Sequence, residues 1–442
     1  MAFTPAHLLQ TLNELPFPRR YLIALSGGCD SIALLQAMAV VRDELSAELA
    51  AVHINHGLQA DAAAWAVHCA KVCQQLDVPL TQVALNLEIN KGDSLEAAAR
   101  EARYRAIREH MVAGDMLLTA QHQDDQAETV LLQLLRGSGP SGLAAMPQLT
   151  SFGTGFHARP LLTFTQKQLH KYAVEQGLLW VEDDSNQDRR FDRNFLRQEV
   201  MPILAQRWPA VSRTLSRSAR HCAEAQQLID SMAIEDLKKI ELPEGTLSIR
   251  ELTALSAPEC RAVLRAWIQR DGFQLPDTQH LDRIQTEMLQ AAPDREPLVA
   301  WQGCEIRRYR DQLFVMPPLT PHNPELVLDW DGQSTLPLPA NLGVLTIGQG
   351  DKGIDPAKWQ SGQIKIRFRQ GGERCQLAGR KHSHSLKKLM QDKGLPPWER
   401  GRIPLIYIDD QLAAVGDLWV CEPFSTTPNQ SGVTLTILNN PK

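Results

Sequence analysis

Apolar runs alternate with stretches of helix-forming residues through the first third of the chain. The apolar runs, which lack a polar face and therefore predict buried strands, are 21–25, 49–54, 80–85 and 116–120. The helical stretches that follow them are 31–45, 60–76, 94–111 and 125–135. This alternation predicts an α/β domain with a doubly wound parallel sheet, covered by helices on both sides. In such a sheet, ligands bind beyond the carboxyl ends of the strands.

The loop after the first predicted strand consists of small and polar residues. It reads SGGCDS and comprises Ser26, Gly27, Gly28, Cys29, Asp30 and Ser31. Backbone N–H groups of a glycine turn and of a helix start point at one spot and bind anions. Because Asp30 would repel a bare phosphate, the loop suits a polyanion that arrives with Mg²⁺, and Asp30 is the candidate metal ligand. The alternative is an ordinary strand-to-helix turn in which Ser or Asp caps the helix.

Acidic residues cluster after the fourth predicted strand, in the stretch HQDDQAE. A helix that begins near Asp125 would place Asp125 and Glu128 on one face, with Asp124 at its cap. Such a pair can hold an ammonium group and later accept its proton, and His122 can accept a proton or contact a substrate. The alternative is that these acids only complement the positive end of the helix.

Three further residues are candidates for the same edge of the sheet. His56 follows the second predicted strand, where the base or ribose of a nucleotide would lie, and an ordinary loop histidine is the alternative. Arg100 and Arg103 lie one turn apart on a predicted helix, and they face either a phosphate group or solvent.

The chain of 442 residues is long enough for two or three domains. The first domain is predicted at 1–220, and amphipathic stretches predict a mainly helical second domain at 221–316 that ends in a hairpin. Prolines mark a linker at 317–326. Short β-type runs predict a small β-rich domain with some helix at 327–442.

The net charge of −5 argues against a protein that coats nucleic acid with its whole surface, but two segments are basic. Eight arginines oppose three acids between 186 and 220, and eleven lysines or arginines oppose three acids between 364 and 402. RNA phosphates would bind along such surfaces, and a solvated helix face is the alternative for the first segment. The candidate RNA contacts are Arg193, Arg197, Arg213, Arg217, Arg369, Arg374, Lys387 and Lys388.

Cysteine usage and hydropathy predict a cytoplasmic protein. The eight cysteines include no C-x-x-C pair, which favours reduced and mostly buried thiols, and Cys69 and Cys73 are expected in a helix core. No apolar run approaches the ~20 residues that a membrane span needs, and no signal pattern opens the chain.

The loop SGGCDS in its strand-loop-helix setting resembles the pyrophosphate loop of the N-type ATP pyrophosphatases. Within that superfamily, several motifs in order resemble the tRNA(Ile)-lysidine synthetases: HINHGLQ (53–59), SLEAAAREARY (94–104), TAQHQDDQAETVLLQLLRGSGPSGLAAM (119–146), RPLL (159–162) and WVEDDSNQDRRFDRNFLR (180–197). The segment RQGGERCQLAGRKHSHSLKKLMQDKGLPPWERGRIPLI (369–406) resembles the C-terminal domain of the same family.

The resemblance implies ATP-dependent ligation of free lysine to C2 of the wobble cytidine in an isoleucine tRNA with the anticodon CAU. The cytidine is first adenylated with release of pyrophosphate, and the ε-amino group of lysine then displaces AMP. The loop 26–31 and His56 would bind ATP with Mg²⁺, while His122, Asp124, Asp125 and Glu128 would bind lysine or move its proton. Arg100 and Arg103 would contact the AMP phosphate or the tRNA, and the basic residues of 369–388 would contact the acceptor stem. The resemblance also permits a homodimer.

Three other functions are alternatives. A tRNA 2-thiolation enzyme of the same superfamily would need a catalytic cysteine or a cysteine-ligated cluster, and the chain has no C-x-x-C pair. An ammonia-using synthetase that acts on a small carboxylate would not need two further basic domains. A nucleotide-gated RNA-binding protein without catalysis would not need the full set of Asp30, Asp124, Asp125 and Glu128.

Overall fold

The computed structural model describes residues 2–55, 57, 61–85, 95–183, 187–292, 295–378, 380, 382–427 and 430–438. Its internal contacts divide the chain into two compact units, Met1–Ser231 and Met232–Lys442. The candidate His56 lies outside the described residues, so its predicted role stays a prediction.

A six-stranded sheet forms the centre of the first unit. Its strands are β1 (Arg20–Ala24), β2 (Glu48–Asn55), β3 (Leu80–Ala84), β4 (Asp115–Leu118), β5 (Leu149–Phe152) and β6 (Gly155–Ala158). The order is β3-β2-β1-β4-β6-β5, and all neighbours are parallel except β5 and β6. The predicted parallel sheet is confirmed. The hairpin of β5 and β6 is not predicted by the pattern, because strands of four residues are too short to show a period.

Helices cover both faces of this sheet. The helices in chain order are α1 (Pro5–Asn13), α2 (Cys29–Val40), α3 (Ala62–Gln75), α4 (Leu95–Glu109), α5 (Gln123–Leu135), α6 (Pro140–Leu143), α7 (Gln166–Glu175), α8 (Asp192–Phe195), α9 (Met201–Arg207) and α10 (Val211–Ile240), with a 3-10 turn at Arg42–Glu44. Residues of α1, α2, α3 and α7 pack on one face, and residues of α4 pack on the other. Neighbouring side chains of β1 point to opposite faces of the sheet. Ile23 packs in an apolar cluster with Leu34 of α2 on one face, and Leu22 packs in another cluster with Ile107 of α4 on the other face. All four side chains are at most 2% exposed, and burial of each stabilises the fold by roughly 1.5–3 kcal/mol.

The strand order changes direction at β1. Strands β2 and β3 lie on one side of β1, and β4 lies on the other. The loops that follow β1 and β4 therefore border one crevice at the carboxyl edge, which is where open α/β sheets bind ligands.

A π-helical turn, Leu196–Val200, joins α8 to α9 without a break. Pro202 lacks the N–H group that would bond to the carbonyl of residue 198 in a regular α-helix, which accounts for the wider turn. The turn carries Arg197, and Arg193 precedes it on α8.

Helix α10 is continuous over 30 residues. The predicted helix begins only at 221, so the predicted domain boundary between 220 and 221 falls inside α10. Among the helices of the described residues, none combines the length and the apolar character that crossing a bilayer requires.

The second unit begins with a helical segment beside a small antiparallel sheet. Its elements are β7 (Leu247–Ser248), α11 (Ile249–Ala254), α12 (Ala257–Arg270), α13 (Thr278–Arg283) with a π-helical turn at Ile284–Met288, β8 (Leu298–Trp301), β9 (Cys304–Tyr309) and β10 (Gln312–Met316). The strand order is β7-β10-β9-β8, so the predicted hairpin is part of a meander in which β8, β9 and β10 follow one another. Trp267 is fully buried in its core and donates from Nε1 to the Gly245 carbonyl at 2.9 Å.

The C-terminal part of this unit is rich in short strands, as predicted. Its elements are β11 (Leu328–Trp330), β12 (Leu336–Pro337), β13 (Val344–Gly350), α14 (Pro356–Ser361), β14 (Ile364–Arg367), β15 (Arg374–Cys375), β16 (His384–Ser385), α15 (Leu386–Asp392), α16 (Pro397–Arg400), β17 (Leu405–Ile408), β18 (Gln411–Val415), β19 (Trp419–Val420), a 3-10 turn at Glu422–Phe424 and β20 (Gly432–Leu438). They form the sheets β11-β14-β17-β18-β19, β12-β13-β20 and β15-β16.

One pair of cysteines departs from the expectation of free thiols. Cys375 and Cys421 are joined as a disulfide, with their Cα atoms 5.7 Å apart across 46 residues of sequence. The sequence has no signal for this pair, because the two residues meet only when β15 packs against the end of β19. The other six cysteines are free.

Candidate active site

The loop after β1 presents backbone donors at the start of α2. Gly28 is the N-cap, and among the described residues no side chain caps the helix. The Ser31 hydroxyl donates to the Gly28 carbonyl at 2.9 Å and lies 3.0 Å from the Ser26 hydroxyl. The alternative of a turn capped by Ser or Asp is therefore wrong for this loop. Uncapped N–H groups beside two hydroxyls fit an anion site.

Gly27 has a backbone conformation that favours glycine. Its φ is +89°, and a Cβ atom would lie 3.0 Å from Val181 Cγ2 and 3.2 Å from Cys69 Sγ. We expect Gly27→Ala to lower the free energy of unfolding by about 1–2 kcal/mol and to weaken nucleotide binding, as measured by urea denaturation and nucleotide titration. Gly28→Ala is the control, because Gly28 has φ −74° and its Cβ would meet only Ser26 Oγ at 3.5 Å. Equal losses of stability in the two variants would contradict the argument.

The cysteines near this loop are unreactive. Burial and the charge of Asp30 raise the pKa of Cys29 to about 12, so its thiol stays protonated. Burial also raises the pKa of Cys69 to about 12 and that of Cys73 to about 11. Both latter side chains lie in the core, as expected. All three thiols are therefore protonated near neutral pH, which does not favour a nucleophilic role.

His122, in the loop after β4, contacts the loop after β1. With a neutral ring it caps α5, because the Asp125 N–H donates to His122 Nδ1 at 3.3 Å, and the His122 N–H donates to Asp125 Oδ2 at 3.0 Å. The helix thus begins at Gln123 with His122 as its cap, and the prediction that Asp124 caps it is wrong. The His122 ring is 2% exposed, and its Nε2 lies 3.6 Å from Asp30 Oδ2.

Asp125 and Glu128 bind two arginines from α8 and the π-helical turn. Arg197 Nε donates to Glu128 Oε1 at 2.7 Å, and Arg193 Nε donates to Glu128 Oε2 at 3.0 Å. Both arginines also donate from Nη2 to Asp125 Oδ1, at 2.8 and 3.1 Å. The Glu128 side chain is 2% exposed, and such a carboxylate is stable only when it is paired. The structure therefore commits Arg193 and Arg197 to this cluster rather than to an exposed RNA track.

Two carboxyl groups of the cluster keep an oxygen available. Asp124 Oδ2 accepts from the Gln166 N–H at 2.8 Å, and its side chain is 30% exposed. Asp30 Oδ1 is buried and has no hydrogen-bond partner among the described residues. Within that part of the chain, no group of three or more His, Cys, Asp or Glu side chains could hold a metal alone. A cation beside Asp30 would take its other ligands from a substrate, which is how Mg²⁺ usually binds with phosphates.

The charge of His122 makes stability depend on pH. Burial lowers the pKa of His122, but the hydrogen-bond contact with Asp30 and the charges of Asp125 and Asp124 outweigh burial, so this pKa is raised above 6.5. The resulting stabilisation is complete below pH ~6.5 and is lost as the pH rises through the raised pKa. We expect the difference in Tm between the wild type and His122→Asn, which keeps a capping side chain, to shrink between pH 5.5 and 9. A difference that is constant across this range would contradict the expectation.

The other candidates of the first unit lie on helix surfaces. Arg100 and Arg103 are exposed on α4, and the Arg100 guanidinium lies 5.1 Å from the centre of the Tyr104 ring. Arg213 and Arg217 are exposed on α10. On the same helix, the Ser216 hydroxyl donates to the Ser212 carbonyl at 2.8 Å, and its oxygen lies 3.4 Å from the carbonyl oxygen of Gln123, the first residue of α5. The basic part of α10 therefore lies beside the carboxylate cluster.

The candidates of the second unit differ in their exposure. Arg374, Lys387 and Lys388 are exposed on β15 and α15. Arg374 Nη2 donates to the Ser383 carbonyl at 2.7 Å. Arg369 is half-buried, and its Nε lies 3.8 Å from Glu373 Oε2. Three of the four side chains can therefore reach a partner without first leaving an acidic neighbour.

Sequence reasoning missed a group of polar residues at the ends of β4 and β6. Thr119 Oγ1 lies 2.8 Å from His157 Nε2, and Arg159 Nη2 lies 3.2 Å from His157 Nδ1. The only sequence signal is the motif RPLL, which begins at Arg159. Thr119 and His157 are 38 residues apart and meet because β6 pairs with β4.

The class of protein follows from two features at the edge where the strand order of the parallel sheet changes direction. They are a loop rich in backbone N–H donors and a cluster of carboxylates. Residues 4–204 match the PP-loop domain family, 247–314 match the TilS substrate binding domain, and 364–437 match the TilS substrate C-terminal domain. The first unit is thus an ATP-using PP-loop domain.

Relatives of nearly the same length specify the family. A tRNA(Ile)-lysidine synthase of Coxiella burnetii is 44% identical over 97% of this chain and 96% of its own. A tRNA(Ile)-lysidine synthase of Methylococcus capsulatus is 43% identical over 94% of this chain and 95% of its own. The chain belongs to the tRNA(Ile)-lysidine synthase family. The interpretation as an ATP-dependent, tRNA-modifying ligase is confirmed and is favoured over 2-thiolation.

Proposed function

We propose that this protein adenylates the wobble cytidine of an isoleucine tRNA with the anticodon CAU and then transfers free lysine to it. The C2 carbonyl oxygen of the cytidine attacks the α-phosphate of ATP, and pyrophosphate leaves. The ε-amino group of lysine then attacks C2, and AMP leaves. The observation that supports the proposal is the proximity of the two loops, because His122 Nε2 of the loop after β4 lies 3.6 Å from Asp30 Oδ2 of the loop after β1.

The phosphate site is proposed at the start of α2. Its uncapped N–H groups, together with Ser26 and Ser31, suit the triphosphate of ATP. The buried and unpartnered Asp30 Oδ1 fits a magnesium ligand. Bound Mg²⁺ would offset the charge of the pyrophosphate leaving group. Arg100 and Arg103 are proposed to contact the AMP phosphate or the tRNA.

The lysine site is proposed at the carboxylate cluster, which consists of Asp30, Asp124, Asp125 and Glu128 with Arg193 and Arg197. Carboxyl groups outnumber guanidinium groups by four to two there, which attracts an amino acid whose net charge is +1. The partly exposed Arg193 suits the α-carboxylate, and Asp124, which keeps an oxygen available, suits an amino group. Asp125 and Glu128 are proposed for the amino groups too, in exchange for one of their contacts with the arginines. Lysine attacks only as the neutral amine, so a group must take its proton. His122 is proposed for this step in its neutral form, which is the main form only above its raised pKa.

The tRNA is proposed to follow the basic part of α10 towards the cluster. We expect Arg213→Ala/Arg217→Ala to weaken tRNA binding and to make the slope of log K against log salt less steep by about 0.7–0.9 per lost phosphate contact. Filter binding from 50 to 300 mM KCl measures this slope. The matched control is Lys238→Ala/Lys239→Ala on the same helix, because Glu235 and Asp236 already pair with those lysines. If the slope of log K against log salt were equal for both double variants, the proposal that tRNA phosphates bind along the basic part of α10 would be contradicted.

The second unit carries the remaining candidates for tRNA contact. Arg374, Lys387 and Lys388 are proposed to contact the acceptor-stem backbone, together with Arg369 once it leaves Glu373. A cytoplasmic location and a homodimer are also proposed.

The reaction is tested with purified protein, ATP, Mg²⁺, labelled lysine and an isoleucine tRNA transcript that carries CAU. We expect label in this transcript and none in a methionine tRNA with the same anticodon. AMP and pyrophosphate without lysine transfer would point to another nucleophile. The absence of ATP turnover would overturn the proposed reaction.

A further inference from the structure

A run of hydrogen bonds crosses the carboxyl ends of β6 and β4 on the face that α4 covers. It passes from Arg159 through His157 and Thr119 to Gln121, and Thr119 Oγ1 contacts Gln121 Oε1. The Arg159 and His157 side chains are almost fully buried, at 7% and 2% exposure, and Gln121 is half-buried. Gln121 directly precedes His122, so this run of side chains ends next to the proposed active site.

The direction of every bond in the run follows from Arg159. A guanidinium only donates, so His157 Nδ1 must accept from Arg159 Nη2. Burial and the charges of Arg159 and Arg100 lower the pKa of His157 to about 3, so the ring is neutral and carries its proton on Nε2. Nε2 then donates to Thr119 Oγ1, and the Thr119 hydroxyl proton is left for Gln121 Oε1.

The amide of Gln121 is thereby fixed in one of its two orientations. Its oxygen faces Thr119, and its NH₂ group faces away from the run. Among the described residues, no acceptor is bonded to that NH₂ group. The His157 end of the run lies beside an aromatic ring, because the Tyr104 and His157 ring centres are 5.7 Å apart. At the other end, the Gln121 NH₂ group can only donate, so it needs an acceptor atom and cannot bind an ammonium group.

We propose that Gln121 contacts substrate by donating a hydrogen bond from Nε2 to an acceptor atom of a nucleobase, and that Arg159, His157 and Thr119 are positioning residues for it. The inference rests on the proposed function, which supplies two sources of such a base, the adenine of ATP and the wobble cytosine of the tRNA. Ring nitrogens and carbonyl oxygens of either base offer the acceptor.

Gln121→Met tests the contact, because methionine keeps the length of the side chain and removes its donor. We expect kcat/KM to fall by about 10- to 100-fold for ATP if the partner is adenine, or for tRNA if the partner is cytosine. Gln10→Met, on the exposed surface of α1, is the control. Values within twofold of the wild type for both substrates, or a loss confined to kcat/KM for lysine, would overturn the proposal.

A double-mutant cycle tests the positioning role. His157→Leu frees Thr119 and Gln121 to rotate, so we expect it to lower the same kcat/KM in the wild-type background and to change it less than twofold in the Gln121→Met background. Equal effects in both backgrounds would show a merely structural role for His157. Lysine transfer by the wild type is measured in parallel, because its absence would refute the proposed function itself, whereas its presence with an unaffected Gln121→Met variant would refute only this inference.

Discussion

Replacing Asp30 with asparagine is expected to reduce lysidine formation by about 1,000-fold, which corresponds to roughly 4 kcal/mol of lost transition-state stabilisation. Asparagine keeps the shape of the side chain but lacks the charge that would hold Mg²⁺ beside the leaving pyrophosphate. The Asp30 oxygen Oδ1 is buried and accepts no hydrogen bond from the part of the chain that the structure describes. Pyrophosphate release and lysine incorporation, both measured with saturating tRNA, give the size of the loss.

A second measurement separates a loss of charge from a loss of fold in this variant. The contact with Asp30 is a main reason why the pKa of His122 is raised, so this pKa should fall in Asp30→Asn, as followed by NMR titration. Asp43→Asn, in the exposed 3-10 turn after α2, is the matched control and should leave both activity and the His122 pKa unchanged. Wild-type activity in Asp30→Asn would rule out Asp30 as the metal ligand.

Replacing Arg193 and Arg197 together with methionine is expected to lower the free energy of unfolding by about 3–5 kcal/mol. The double change leaves the buried Glu128 carboxylate without a positive partner, and an unpaired buried charge is costly. Each single variant should lose less, because the other arginine still contacts both Glu128 and Asp125. Urea denaturation at pH 7.5 measures the three losses.

Two further variants test whether the loss of stability comes from the unpaired Glu128 carboxylate. Adding Glu128→Gln to the double variant should recover part of the lost stability, because a neutral amide is less costly to bury than an unpaired carboxylate. Arg189→Met/Arg190→Met removes two neighbouring arginines whose side chains are 65% and 88% exposed, and it should change stability little. If both double variants lost the same stability, the pairing with Glu128 would not be the cause.

The two arginines also show where sequence reasoning reaches its limit. Arg193 and Arg197 stand in the basic segment 186–220, and charge counting alone assigns them to RNA. Their actual partners lie 65–72 residues earlier in the chain, on α5. Charge patterning reports the composition of a segment, but it does not report which helix the segment packs against. Arg213 and Arg217 differ, because their exposure on α10 follows from the local pattern of an amphipathic helix.

The sequence by itself determined the α/β class, the alternation of strands and helices, and the two polar loops proposed for the active site. These features are local, since an apolar run, a glycine turn and a helix start follow one another within a few residues. The tertiary structure decided that His122 caps α5 beside Asp30, that Arg193 and Arg197 neutralise Glu128, and that His157 orients Gln121 through Thr119. Each of these contacts joins residues from different strands or helices, so it exists only once the strand order and the return of α8 and α9 to the sheet edge have brought them together.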